Sequence, residues 1–248
     1  MPCDPNTLLE SAKCFACLTE EQRALITLYL LCQLADEEVV DPNVLFIERF
    51  EANPGYDLTG WTESGSDLDP NYTGVVLQGL QSFRVTNPTL AQPYILRTLA
   101  PIANPFFYFQ FELLAIATPQ FTAFLFLTSA ADGFLGVFGI DTTAMQFWVQ
   151  VGAGFAQTVG TFALGVKYHV WIEYNKNNGV NRLGSIAFST DGIRPVAGNN
   201  YAEALAAVHA DDVGMLRFGI TPGSDLTDVD DHVLDYLIAS SAQIGDNP

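Results

Sequence analysis

The chain has 248 residues, about half of them hydrophobic and only 15% charged, with 28 acidic against 10 basic side chains and a formal charge of −18. So few cations leave no basic stripe to neutralise phosphates or to grip an anionic membrane surface, which excludes nucleic-acid binding and peripheral membrane binding as expectations. The length suits one β-sandwich, or a sandwich with a small appendage, and eighteen phenylalanines supply an aromatic-filled interior.

The acidity reads as solubility and suppressed self-association, with divalent-cation binding or a cationic partner as the functional alternative. Met1-Pro2-Cys3-Asp4 lacks the basic start of a signal peptide, and no run reaches the ~18 apolar residues of a membrane span. The expectation is a protein made and soluble in a cytoplasm, with the sequon at Asn71-Tyr72-Thr73 unused.

In chain order, residues 1–40 are expected to be a helical module. Asp4-Pro5 offers an N-cap followed by proline at the first helical position, and Thr19-Glu20-Glu21-Gln22 is a capping box. The helix from Glu20 to Ala35 carries Leu25, Leu28 and Leu31 on one face, yet Ile26, Tyr29 and Leu30 populate the other. A helix apolar nearly all round is buried or meets a second partner. These six side chains are therefore the candidate assembly surface, and a homo-oligomer or a larger protein assembly is the expected partner. All four cysteines, Cys3, Cys14, Cys17 and Cys32, lie here. The Cys14–Cys17 spacing is that of a zinc knuckle or a redox pair, without a standard second half. Buried reduced thiols, a structural zinc and disulfides all stay open.

The charge run Asp36-Glu37-Glu38 and Pro42 mark a linker, and 41–248 reads as one β-domain. Short β-branched and aromatic runs alternate with Gly, Asn, Asp and Pro clusters. The expected strands are Val44–Phe50, Gly74–Leu77, Ser82–Val85, Phe106–Ile116, Thr122–Thr128, Leu135–Ile140, Gln146–Val151, Lys167–Asn175, Gly184–Ser189, Leu216–Ile220 and Val233–Ala239. Strands in that number without intervening helices argue for two packed sheets. Ala202–Ala210 is the one helix-prone stretch.

Several of these runs form a recognisable set: Leu45-Phe46-Ile47-Glu48-Arg49-Phe50-Glu51, Gly79-Leu80-Gln81-Ser82-Phe83-Arg84-Val85, the aromatic strand Phe106–Phe111, Tyr168-His169-Val170-Trp171-Ile172-Glu173-Tyr174, and Val233-Leu234-Asp235-Tyr236 with its acidic residue in the last strand. Together they resemble the concanavalin-like laminin-G family over about residues 44–240. The resemblance implies a mainly β, jelly-roll sandwich of two antiparallel sheets. The stretch Lys167–Ser189 with Gly192-Ile193-Arg194-Pro195 is similar to such domains in bacteriophage and bacterial surface proteins, which implies a virion component such as a head-decoration or tail-associated protein.

Chemistry was sought within that frame. Retaining glucanases of this fold carry alternate carboxylates as Glu-x-Asp, which occurs nowhere here. Glu112 and Glu173 each stand alone in their strands, and His169, His209 and His232 are widely separated. No phosphate-binding glycine loop or nucleophile elbow is present. A non-catalytic structural and binding protein is the expectation, with a lectin-like protein as the alternative and a glycoside hydrolase or lyase behind both. Trp61 and Tyr72 are the candidate glycan-binding rings, Trp61 being equally a core anchor. No cofactor is expected other than calcium. Asp225, Asp228, Asp230 and Asp231 form an oxygen-rich loop that reads either as a solvated turn or, as the resemblance implies, as a calcium site at the sandwich rim.

Overall fold

The computed structural model describes residues 41–51, 58–86, 92–116, 121–151, 157–176, 184–204, 211–221 and 231–248. The chain divides between Pro42 and Asn43, and the N-terminal module, with Leu25–Leu31 and all four cysteines, lies outside the described residues. Within 43–248 the protein is a sandwich of two antiparallel sheets, as expected for a concanavalin-like fold.

One sheet has eight strands in the order β13-β12-β11-β6-β15-β4-β3. These are β13 (Tyr201–Ala204), β12 (Gly184–Ser189), β11 (Tyr168–Tyr174), β6 (Phe106–Ala115), β15 (Asp231–Ser240), β4 (Ser82–Thr86) and β3 (Leu68–Tyr72). The eighth, β1 (Val44–Glu48), pairs with the C-terminal half of β15, while β4 pairs with its N-terminal half. The other sheet runs β10 (Gln157–Val159), β9 (Gln146–Val151), β8 (Phe134–Asp141), β7 (Phe121–Thr128), β14 (Val213–Gly219), β5 (Tyr94–Ile102) and β2 (Thr62–Ser64).

Period-two alternation decides what lies between the sheets. In β6, Phe107, Phe109, Phe111 and Leu113 point into the core, and Tyr108, Gln110 and Glu112 stand on the outer face. Facing them are Phe124, Phe138, Phe147 and Phe218 from the second sheet. Phe109 meets Phe218 edge-on at 5.2 Å, and Phe147 meets Phe188 at 4.2 Å between ring centres. Each such ring removed from water contributes about 1.5–3 kcal/mol.

Two expectations are corrected, and strands β2, β3, β5 and β10 were not among those expected. Gly74–Leu77 is a bent loop, not a strand, because its neighbourhood finds side-chain partners instead of a ladder. Leu77 N–H donates to Ser82 Oγ, Gln78 N–H to Asp235 Oδ2, and Lys167 Nζ donates to Leu77 O. Ala202–Ala210 does not begin as a helix: Tyr201–Ala204 is strand β13, paired with β12, and 205–210 lie outside the described residues. Strand β5 went unread because Arg97, Thr98 and Pro101 break its apolar pattern; Pro101 sits near its end, where a missing N–H is tolerated.

Candidate functional site

The pairing register lines up side chains across the outer face of the eight-stranded sheet. His169 of β11 pairs with Ser189 of β12 and Gln110 of β6, and Gln110 pairs with Asp235 of β15. Ser82 Oγ of β4 donates to Asp235 Oδ2 at 2.7 Å, and Ser82 pairs with Tyr72 of β3. The result is one polar row, Tyr72–Ser82–Asp235–Gln110–His169–Ser189, spanning six strands. A parallel row holds Asp69, Arg84, Val233 and Glu112. On the other side runs an aromatic and apolar row of Ala187, Trp171, Tyr108, Ile238 and Ile47.

The centre of the polar row is roofed. The loop before β4 places Gln78 so that it accepts from Gln110 Nε2, while Gln78 N–H caps Asp235 at 3.1 Å. Asp235 also accepts from Tyr236 N–H at 2.7 Å. Tyr236 stands at φ 50°, in the bulge where β15 gains a residue on β6. Burial pushes the Asp235 carboxyl up from 3.8 to about 6, against the pull of its three donors. Tyr108 is raised to about 12, again by burial, so its phenol stays protonated. It lies 2.6 Å from His169 Nδ1. Burial and the Lys167 cation hold the His169 imidazole below its usual value. The neutral ring therefore accepts the phenolic proton at Nδ1 and turns its Nε2–H away. Burial likewise lowers Lys167 and raises Glu112.

Ser189 at one end of the row is buried, and half-buried side chains stand beside it and at the other end. At one end His169 and Lys167 are half-buried. At the other, Tyr72 is half-buried and Arg84 lies over its ring at 4.8 Å. Arg84 grips Asp231 with two bonds, Nε to Oδ1 at 2.9 Å and Nη2 to Oδ2 at 2.6 Å. A small cleft of about 200 Å³ beside Arg84 is lined by Ser66, Asp67, Asp69 and Thr86.

The structure thus brings Tyr72 and Asp231 together at Arg84, a juxtaposition the sequence did not show. Asp225, Asp228 and Asp230 lie outside the described residues. Among the described residues no group of three or more His, Cys, Asp or Glu side chains is placed to hold a metal ion. Trp61 is elsewhere: it packs against the core, meets Phe46 edge-on at 6.0 Å, and donates its indole N–H to Glu48 Oε2 at 2.8 Å. Glu173 is the one carboxylate of β11, and Ser185, Asn175 and Arg194 meet it. The sequence reading passed over Gln110 and His169. Their signal was a polar residue interrupting a run of aromatic or β-branched neighbours, and only the register shows that these interruptions coincide.

The comparisons with known proteins bear on this sandwich. No protein-family model matches the chain, and no curated protein matches it in sequence. Solved structures do. The cellulose induced protein Cip1 is similar over 81% of this chain and 99% of its own, with 15% identity and a TM-score of 0.57. The likeness is one of fold. A Trypanosoma rangeli sialidase shares 12% identity with a TM-score of 0.56, over 91% of this chain but only 37% of that one. An HCR/D W1238A mutant shares 10% identity with a TM-score of 0.53, over 82% of this chain and 48% of that one. The chain therefore spans nearly all of Cip1 but well under two thirds of the sialidase.

Proposed function

We propose that the protein is a non-catalytic, carbohydrate-binding β-sandwich that takes a glycan chain along the outer face of its eight-stranded sheet. The observation that carries this reading is the pair of half-buried groups on that row, Tyr72 at one end and His169, beside Lys167, towards the other. Of the row, the His169 imidazole and the Tyr72 hydroxyl are half-buried and suit sugar hydroxyls, and the Tyr72 ring offers a stacking face. The fold it shares with Cip1 and with part of a sialidase, proteins whose names speak of cellulose and sialic acid chemistry, is consistent with that ligand class. The non-catalytic part rests on burial. Tyr108 and Asp235, whose hydroxyl and carboxyl could do acid–base work, are exposed by only 0% and 1%. A group that cannot touch substrate cannot transfer its proton to it.

Titration of the full chain against a panel of polysaccharides tests the reading. Tyr72→Ala and His169→Ala are expected to weaken binding by about tenfold each, while Trp61→Phe leaves affinity unchanged. Release of reducing or unsaturated sugar from the same panel would overturn the non-catalytic part.

Two finer forms belong to the same proposal. One is calcium held by Asp225, Asp228, Asp230 and Asp231; no heat on titrating millimolar calcium into chelator-stripped protein ends that form. Display on a virion through residues 1–40 predicts the protein in purified particles from a host that makes it, and its absence from them ends that form.

A further inference from the structure

At the sandwich edge opposite Tyr72, β10 of one sheet approaches the turn that leads into β13 of the other. Between them lies an open pocket of about 550 Å³, larger than the cleft at Arg84. Its side chains are those of Gln146, Thr158, Thr161, Asn199, Asn200 and Tyr201, with Val159 and two glycines completing the wall. Among the described residues no charged one lines it, a local exception in a chain of net charge −18.

The backbone holds this pocket in shape. Tyr201 N–H donates to Gly198 O at 3.3 Å, and Phe188 N–H donates to Asn200 O at 3.1 Å, which ties the turn to β12. On the other wall Phe162 N–H donates to Met145 O at 2.9 Å. Gly160 sits at φ 50°, and a Cβ there would fall 2.3 Å from the Phe188 ring and 2.7 Å from Asn199 O. Only glycine lets these two walls come so close. Thr158, Thr161, Asn199 and Asn200 are all exposed, and Tyr201 is half-buried against the outer face.

We propose that this edge pocket is a second binding site, for an uncharged sugar. Amide and hydroxyl side chains supply donors and acceptors together, which a ring of sugar hydroxyls needs. Among the described lining residues none is an arginine or lysine to hold a phosphate, a uronate or a sialic acid, and the field of the whole chain repels anions. Among the same residues Val159 is the one aliphatic side chain that could anchor a peptide. The site shares no residue with the outer-face row, so it stands or falls separately from the function proposed above.

The test is saturation-transfer NMR and calorimetry on the full chain with neutral gluco-, manno-, galacto- and xylo-oligosaccharides, with sialyllactose as the anionic control. At least one neutral oligosaccharide is expected to bind, and Asn199→Ala/Asn200→Ala to weaken that binding about tenfold while Tyr72→Ala does not. Both asparagines are exposed, so the double variant is expected to keep the unmodified melting temperature. The inference is overturned if no neutral sugar binds at millimolar concentration, if sialyllactose is preferred, or if binding survives the double substitution. Binding abolished by Tyr72→Ala and untouched by Asn199→Ala/Asn200→Ala would overturn this pocket and leave the outer-face site standing.

Discussion

Asp235 shows how much one residue can set. It interrupts an apolar strand, and the bulge at Tyr236 turns it towards three donors under the loop at Leu77–Gln81. Lys167, Gln110, Tyr108 and Glu51 surround it from the neighbouring elements. Its folded-state pKa of about 6 lies above the ordinary 3.8, so the folded protein takes up this proton before the unfolded chain does. Stability from this group is full below about pH 4 and is lost as pH rises through about 6, on the order of 3 kcal/mol at most. Thermal melts of Asp235→Asn are expected to show a smaller difference between pH 4.5 and 7.5 than the unmodified protein. An unchanged difference would mean the carboxylate is hydrated in solution. In the core, Phe109→Ala leaves a cavity among Phe124 and Phe218 and is expected to cost about 3–5 kcal/mol in urea unfolding.

At the scale of elements, the C-terminal tail acts as a strap on the outer face. Ile244 is buried against Trp171, Tyr108 and Ile238, and Trp171 Nε1 donates to Gly245 O at 3.0 Å. Asn247 N–H reaches Gly192 O, and Arg194 N–H reaches Asp246 Oδ1, so the tail and the loop after β12 hold one another. Without the tail, the aromatic row would face water. Deleting residues 242–248 is expected to lower unfolding stability by about 2–4 kcal/mol and to shift tryptophan emission to the red. Preserved emission would show that other segments cover Trp171.

For the whole molecule, the residues from Asn43 onward own a continuous core that draws on both sheets, so this part is expected to fold without residues 1–40. Urea unfolding of residues 41–248 should be a single cooperative transition. Light-scattering mass tests the assembly surface proposed for Leu25–Leu31: the full chain is expected to be an oligomer and 41–248 a monomer. Equal monomeric masses would remove that role from these residues.

The sequence by itself determined the fold class. Alternation in Phe106–Ala115, Tyr168–Tyr174 and Asp231–Ser240 marks inward and outward faces, because period two is a local property of the chain. The sequence did not show β5, whose Arg97 lies over Phe46 and Trp61, nor that Gly74–Leu77 is held by side chains rather than by a ladder. Above all, it could not bring His169, Gln110, Asp235 and Ser82 into one row, or set Asn199 and Asn200 beside Thr158. Those neighbours are up to 153 residues apart, as between Ser82 and Asp235. Strand order and register are set by which faces bury together, and a slip of one residue would send each of these groups into the core. The tertiary structure alone decided that.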